Sequence, residues 1–405
     1  MANLLRQFRD FFVSLRLTVV LLVLSIILVF AATLDQVHLG VWGVQEKYFH
    51  ALFVMVRLGE VPVPVFPGGY LIGGFLLVNL LVAHLCRLRL TWRKLGIWLA
   101  HSGLILLLVG ELISGLVQQD YQMRLDTGET KNFAESDRFN ELAVTDVTDP
   151  AFDEVVAIPE RRLAEGAPLQ HPKLPFRVVP RTYYPNAALD RREQVPNAPP
   201  SPATQGIGPQ VAALPLAVTY KPDEHNEPAA FIELVGPDGS LGTWLVSPLL
   251  GMPQKFTYAG RTWKLAMRAT RRYQPFSLTL LKFTHEVYAG TDIPKNFSSR
   301  VRIAGAGGAG GREALIYMNN PLRTGGLTFY QASFDNDDRT TVLQVVRNPG
   351  WLIPYLACAA ITLGLIVQFL FHLAAFARKR RGGPAAPAPI PAPAPAPAPA
   401  RIPAR

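Results

Sequence analysis

Four apolar stretches, each long enough to cross a bilayer, constrain this 405-residue chain more than any other feature. A membrane-crossing helix needs about 20 mostly apolar residues, because it rises about 1.5 Å per residue through about 30 Å of hydrocarbon. The windows are residues 11–34, 70–86, 95–117 and 351–371. The first contains Arg16 near its start, where a long cationic side chain can snorkel to the interface. Its apolar run is too long for a cleaved signal segment and no small-residue cleavage site follows, so it reads as an anchor. Composition agrees. Only 17% of residues are charged, against about a quarter in a soluble domain, and the deficit is concentrated in the four windows.

Orientation follows from the cations. Arg6, Arg9 and Arg16 flank the first window, Arg87, Arg89, Arg93 and Lys94 fill the link between the second and third, and Arg378 to Arg381 follow the fourth. Cytoplasmic loops carry the excess of Lys and Arg, and four spans place all three clusters on that side at once. Both termini are then inside, and residues 35–69 and 118–348 are outside. Much of the net charge of +10 is topological, so no nucleic-acid partner is expected. In the loop 35–69, residues 48–56 are apolar but too short to cross. They read either as an interfacial or re-entrant helix or as a loop packed on the outer domain.

The expected organisation is therefore an N-terminus and first span (1–34), the outer loop (35–69), and two spans joined by a basic link (70–117). A large extracytoplasmic domain (118–348), a fourth span (349–377) and a basic stop with a Pro/Ala-rich tail (378–405) complete it. Segments 176–179, 216–220, 230–235, 276–281, 299–303, 327–330 and 341–346 are rich in β-branched and aromatic residues with partial alternation. The fold class is thus an integral membrane protein with four transmembrane helices and a mainly-β sandwich- or barrel-like outer domain. Residues 185–210 have the composition of a flexible insertion. The glycine-rich run 305–312 lacks the Lys-Ser/Thr of a phosphate loop and reads as a hairpin loop, and the tail after Gly383 reads as polyproline-like.

Chemistry has few carriers. The two cysteines, Cys86 and Cys358, lie far apart, which excludes a redox pair within the chain, and Cys and His do not cluster as a structural zinc site requires. Nucleophile-elbow, metalloprotease and dinucleotide fingerprints are absent. The histidines remain. His101 lies about 10 Å into the third window from Lys94, and His84 lies near the cytoplasmic end of the second, so both occupy one leaflet. An intramembrane imidazole either hydrogen-bonds a neighbouring helix, the commoner case, or ligates a cofactor such as haem iron. His84 has the further option of reaching the head groups beside Arg87. Glu111 reads as an ion-paired or interfacial carboxylate. His38 and His50 sit near the membrane surface in the first outer loop and are within reach of a ligand there. His171, His225 and His285 are scattered without ligand spacing.

Several short motifs combine into a resemblance. Ser14-Leu15-Arg16-Leu17-Thr18 opens the first span and Trp98-Leu99-Ala100-His101-Ser102-Gly103-Leu104 the third. The outer domain carries Asp292-Ile293-Pro294-Lys295-Asn296-Phe297-Ser298-Ser299 and Phe329-Tyr330-Gln331-Ala332-Ser333-Phe334. With the order of three spans, outer domain and fourth span, the chain resembles the ResB (CcsB) family of cytochrome c biogenesis proteins over residues 10–375. The resemblance implies a subunit of the cytochrome c synthetase of the bacterial cytoplasmic membrane, which carries haem outward and supports its attachment to apocytochrome c. The implied partners are a CcsA-type membrane protein, the CxxCH segment of apocytochrome c, and a thiol-reducing protein. The implied cofactor is haem b, bound in transit, and the chain is not expected to be catalytic alone.

The family places a haem-ligating histidine in a membrane span of this subunit. His101 is the matching position; His84 does not match that motif and ranks second. On this expectation haem is ligated by His101 from one side and by the partner from the other, then passed to an outer site. A competing reading makes the chain a scaffold for CcsA and a chaperone for apocytochrome c that never touches haem. A membrane-anchored sensor lacks a cytoplasmic output domain here, and four spans without a repeat are few for a transporter.

Overall fold

The computed structural model describes residues 2–59, 61–88, 90–196, 200–219, 225–291, 294–305, 311–334 and 339–381. Asp292 and Ile293, residues 306–310 of the glycine-rich run, and the Pro/Ala tail from 382 onward lie outside the described residues.

An amphipathic helix α1 (Ala2–Phe12) leads into α2 (Leu15–Val44), followed by a π-helical turn Gln45–Phe49. A hairpin of β1 (Phe53–Leu58) and β2 (Val61–Pro67) precedes α3 (Gly69–Arg87), and a single turn Trp92–Lys94 opens α4 (Leu95–Val117). The β domain follows with β3 (Gln119–Asp126), β4 (Thr130–Asp146), β5 (Glu154–Pro159), the short α5 (Glu160–Ala164), β6 (Arg177–Tyr184), β7 (Ala187–Arg191) and β8 (Val211–Pro215). It continues through β9 (Ala229–Gly236), β10 (Gly239–Val246), β11 (Gln254–Tyr258), β12 (Arg261–Val287), β13 (Pro294–Gly305), β14 (Arg312–Tyr317), β15 (Leu322–Thr324), β16 (Leu327–Phe334) and β17 (Thr340–Arg347). Helix α6 (Ile353–Arg381) closes the chain. Four helices among the described residues are long and apolar enough to cross a membrane, and the protein is a membrane protein with a large mainly-β domain.

The β domain has two lobes that share two long, bent strands. In a ten-stranded antiparallel sheet the order is β14-β13-β12-β4-β3-β17-β16-β15, with β11 added to β12 and β5 to β4. The first half of β12 points Trp263, Leu265 and Met267 to one side at period two, and these pack against Ile232, Leu234 and Trp244 of the separate sheet β10-β9-β6. Register shifts at Ala269/Arg271 and Tyr273/Leu278 then bend β12 away from β4. Its second half joins β3, β13, β14, β16 and β17 around a separate core of Leu278, Leu280, Val301, Phe329 and Leu343, a barrel-like lobe.

The helices are fitted by small residues. Gly96, Gly103 and Gly110 are buried on α4 at intervals of seven, which keeps them on one seam. A Cβ on Gly96 would stand 2.5 Å from Gly364 O of α6, and one on Gly103 would stand 2.7 Å from Ile361 Cγ1. α4 and α6 therefore touch almost backbone to backbone. α2 and α3 are pinned by buried Asn79, whose Nδ2 donates to Phe12 O at 2.6 Å and whose Oδ1 accepts from Thr18 at 2.7 Å.

Three expectations change. The segment 48–56 is not an interfacial helix. α2 continues to Val44, and Phe53–Leu58 is a strand, because Pro62, Pro64 and Pro67 forbid a helix in the pairing segment and leave an extended hairpin. Leu216 to Thr219 are not a strand; pairing ends at Pro215. Residues 185–210 are not merely a flexible insertion: β7 pairs with β8, and Ala187 and Ala203 are buried with Phe231 and Leu245. Small apolar side chains there supply a core that the polar and proline content of the segment conceals.

Candidate functional site

The link between α3 and α4 turns the chain back on itself, so His84 near the end of α3 and His101 in the second turn of α4 meet. Their ring centroids are 6.5 Å apart. His84 is buried, with Trp98 against it at 4.9 Å, and its Nε2 lies 3.3 Å from Ser102 Oγ. Its Nδ1 is buried with no hydrogen-bond partner among the described residues. The expectation that His84 reaches toward head groups is thus corrected: helix packing turns it inward. His101 is exposed on the surface of α4. Its Nδ1 lies 2.8 Å from Ile97 O, one turn earlier, and a carbonyl can only accept, so Nδ1 carries the proton. In the neutral ring this leaves the Nε2 lone pair free, the tautomer an axial ligand needs.

A second constellation sits at the opposite end of the helices, beside the β domain. Gly40 adopts φ 68°, ψ 174° inside α2, a left-handed φ that a Cβ resists, and the kink carries Val41 and Val44 across the ends of α3 and α4. A groove of about 390 Å³ results, lined by α2, the π-helical turn, α3 and α4. Its polar members include His50, Tyr70 and Glu111. His50 Nδ1 is 3.0 Å from Glu46 Oε1, and its ring stacks on Tyr70 at 5.5 Å. Glu111 makes no ion pair among the described residues, which corrects the ion-paired reading. Nearby Asp35 accepts from Lys47 at 2.6 Å and from Tyr48 at 3.0 Å.

The remaining histidines stay dispersed. His38 is exposed on α2, His171 and His225 lie in loops, and His285 packs on Phe334 at 4.2 Å. Cys86 and Cys358 are free and exposed. No group of three or more His, Cys, Asp or Glu suited to a metal ion occurs among the described residues. Sequence reading missed the groove as a unit, although Glu46 and His50 at i, i+4 were visible as a pair.

A family model, the ResB-like family, matches residues 259–342. Protein NrfI of Wolinella succinogenes is 36% identical over 96 residues, a stretch that is 24% of this chain and 11% of that protein. Residues 259–342 are thus ResB-like.

The family-model match runs along β12 through β16 into β17, within the β domain. One of the motifs quoted above does structural work there. Within this ResB-like segment Gln331 of β16 reaches across the barrel-like lobe to Ser299 of β13 and Thr341 of β17. Ser299 donates to Gln331 Oε1 at 2.6 Å, Gln331 Nε2 lies 2.8 Å from Thr341 Oγ1, and Thr341 Oγ1 lies 2.8 Å from Ser299 Oγ. The three side chains close a polar triangle, buried at Ser299 and Thr341 and half-buried at Gln331, which ties three strands of the lobe together. The helix histidines and the groove lie outside the matched segment.

Proposed function

We propose that this ResB-like protein acts in cytochrome c biogenesis, as a membrane subunit that holds haem at His101 during its passage to apocytochrome c. The ResB-like match over residues 259–342, together with the likeness to Protein NrfI, supports the biogenesis role. The observation that carries the haem assignment is the state of His101: Nδ1 is committed to Ile97 O, and Nε2 is free on an exposed face of a membrane helix. An imidazole facing hydrocarbon is costly, so a group in the membrane covers it. A flat apolar macrocycle that accepts an axial nitrogen fits this position, with its other face closed by a CcsA-type partner.

The helices supply the rest of the arrangement. The cation-rich start of α2, the α3–α4 link and the end of α6 all lie at the end of the bundle away from the β domain, consistent with a cytoplasmic inner face and an extracytoplasmic β domain. His101 lies toward that inner end. His84 stands behind it in the helix interface and braces Trp98 and Ser102. The β domain, which presents no cluster of metal-ligating groups among its described residues, binds apocytochrome c or the partner. The thioether bonds form between haem vinyl groups and the acceptor's CxxCH thiols, kept reduced by a separate thiol-reducing protein.

Co-expression of the full chain with a CcsA-type protein, followed by an absorption spectrum of the purified pair, tests the proposal. A haem Soret band is expected, reduced several-fold by His101→Ala and partly restored by added imidazole. Unchanged haem content in His101→Ala removes haem ligation from this residue and favours the scaffold-chaperone reading.

A further inference from the structure

The groove beside the β domain has a chemistry that haem ligation at His101 does not use. Gly73 and Gly74 of α3 line it, and a Cβ added to either meets nothing within 4 Å. They differ in this from Gly96, Gly103 and Gly110, each of which a neighbouring helix fills. A glycine in a helix interior costs about 1 kcal/mol relative to alanine, and here no packing among the described residues recovers it. The space in front of them is about 390 Å³, within the range of small-molecule sites. Val41 and Leu112 on its rim are exposed, so the groove opens sideways, where lipid would lie.

Besides Gln36, Gln45 and Tyr70, the groove receives a histidine and a carboxylate from different elements. His50 comes from the end of the π-helical turn with Nδ1 held 3.0 Å from the Glu46 carboxylate, which in the neutral ring leaves Nε2 as an acceptor. Glu111 comes from α4, one turn before Gly115, a small residue that leaves room for His50 Nε2 and Tyr70 Oη. An ionisable residue within a membrane helix marks a site by default, and Glu111 has no ion pair to account for it.

The charge balance selects the ligand. Glu111 lines the groove and Glu46 stands beside it, the neighbouring Lys47 is paired with Asp35, and none of the lining residues is Lys or Arg. Phosphate head groups and porphyrin propionates are repelled. A free metal ion lacks a third protein ligand among the described residues. A partner helix would fill the apolar walls but leave Glu111 and His50 without a use. A neutral, flat, lipid-borne ring with a hydroxyl at each end satisfies every element: its face lies on the glycines, one hydroxyl donates to His50 Nε2, and the other donates to Glu111.

We infer that this groove binds the head group of a membrane hydroquinone, with its isoprenoid tail leaving through the open side. The site is separate from His101 and stands or falls independently of haem binding there.

The test uses the full-length protein in phosphatidylcholine nanodiscs and three probes: decylubiquinol, hemin, and decylbenzene as an apolar control. Saturable binding of one decylubiquinol is expected, with decylbenzene much weaker. Glu111→Leu and His50→Leu each weaken binding by about ten-fold or more, the loss of one hydrogen bond to a charged or polarised group. Gly73→Leu, whose side chain enters empty space and leaves the fold intact, abolishes it. Glu111→Gln serves as a second, near-isosteric variant, with an intermediate loss. The inference is overturned if decylubiquinol fails to saturate, if decylbenzene binds equally, or if Gly73→Leu leaves binding unchanged. It is also overturned if His50→Leu removes a bound hemin while decylubiquinol binding stays unchanged. His101→Ala leaves decylubiquinol binding unaltered, so failure of the haem proposal and failure of this one read out separately.

Discussion

His84 and His101 stack 6.5 Å apart on antiparallel helices, yet one is buried with an Nδ1 unpaired among the described residues and the other is exposed with its Nδ1 satisfied. Adjacent imidazoles thereby acquire different capacities. A ring enclosed by Trp98 and Ser102 has no open face for a macrocycle, whereas the ring on the helix surface does.

This asymmetry predicts that His84→Leu and His101→Ala differ. His84→Leu removes the long 3.3 Å contact to Ser102 but also a buried Nδ1 that has no partner among the described residues. The two effects offset, so the stability of the purified protein in thermal unfolding should change by no more than about 1 kcal/mol. Haem content should fall less than two-fold. Equal haem loss in the two variants would make His84 a ligand as well.

Gly103→Val should be severe. Its Cβ alone would lie 2.7 Å from Ile361 Cγ1 and 2.8 Å from Ala357 O, so α4 and α6 must separate. Overpacking of this kind costs about 1–3 kcal/mol. Gly74→Ala, facing empty space, should be neutral or stabilising. Thermal melts of both variants in the same detergent measure the difference, and equal melts would contradict the close helix contact.

The polar triangle in the barrel-like lobe makes a prediction about asymmetry. Gln331→Leu leaves buried Ser299 and Thr341 with one partner fewer each and should cost about 1–3 kcal/mol. Replacing all three by apolar residues of similar size, Ser299→Ala, Gln331→Leu and Thr341→Val, should recover part of that loss. Denaturant titration of the full chain, followed by Trp fluorescence, reports both. A triple variant less stable than the single one would show that the triangle does more than satisfy its own members.

Stability of the β domain should depend on pH with opposite signs at two carboxyls. Burial pushes the Glu160 carboxyl above its usual range, despite hydrogen bonds from Asn140 and Tyr183 that act the other way. A raised native value stabilises the fold below the unfolded value and is lost as pH rises through the native one. Glu160→Gln should therefore flatten the decline in stability on the alkaline side of the ordinary Glu range. Hydrogen bonds from Thr148, together with Arg261 at 3.1 Å, hold Asp146 below its usual range. Its contribution is present above the unfolded value and lost as pH falls through the native one, so Asp146→Asn should blunt acid sensitivity. Melting temperatures across pH 3 to 8, taken for each variant, test the two signs.

Much of the architecture was readable because hydrophobicity is a local property. Each of the four helices lies where about 20 apolar residues run together, and β9, β12, β13, β16 and β17 each contain a segment whose β-branched residues announced a strand. Boundaries suffered where local composition is ambiguous. α2 runs ten residues past the apolar window, because Asp35 is neutralised by Lys47 and Tyr48 and nothing breaks the helix before Gly40. The hairpin Phe53–Pro67 resembles an interfacial helix in hydrophobicity and differs from one only through its prolines. The interval of seven between Gly96, Gly103 and Gly110 was present in the chain, but nothing local names α6 as the surface they meet.

His101 could be singled out from one dimension, since a titratable residue inside an apolar run stands out wherever the helix packs. Which imidazole is enclosed and which is free could not, because that depends on the rotation of α3 against α4 about a short link. The groove was beyond reach altogether. Its walls come from four segments spread over residues 36 to 115, and its shape depends on one positive φ at Gly40 and on glycines whose missing side chains matter only once helices surround them. Apolar transfer to lipid acts residue by residue and is written in order along the chain. Enclosure is a property of surfaces brought together from distant places, and only the folded arrangement contains it.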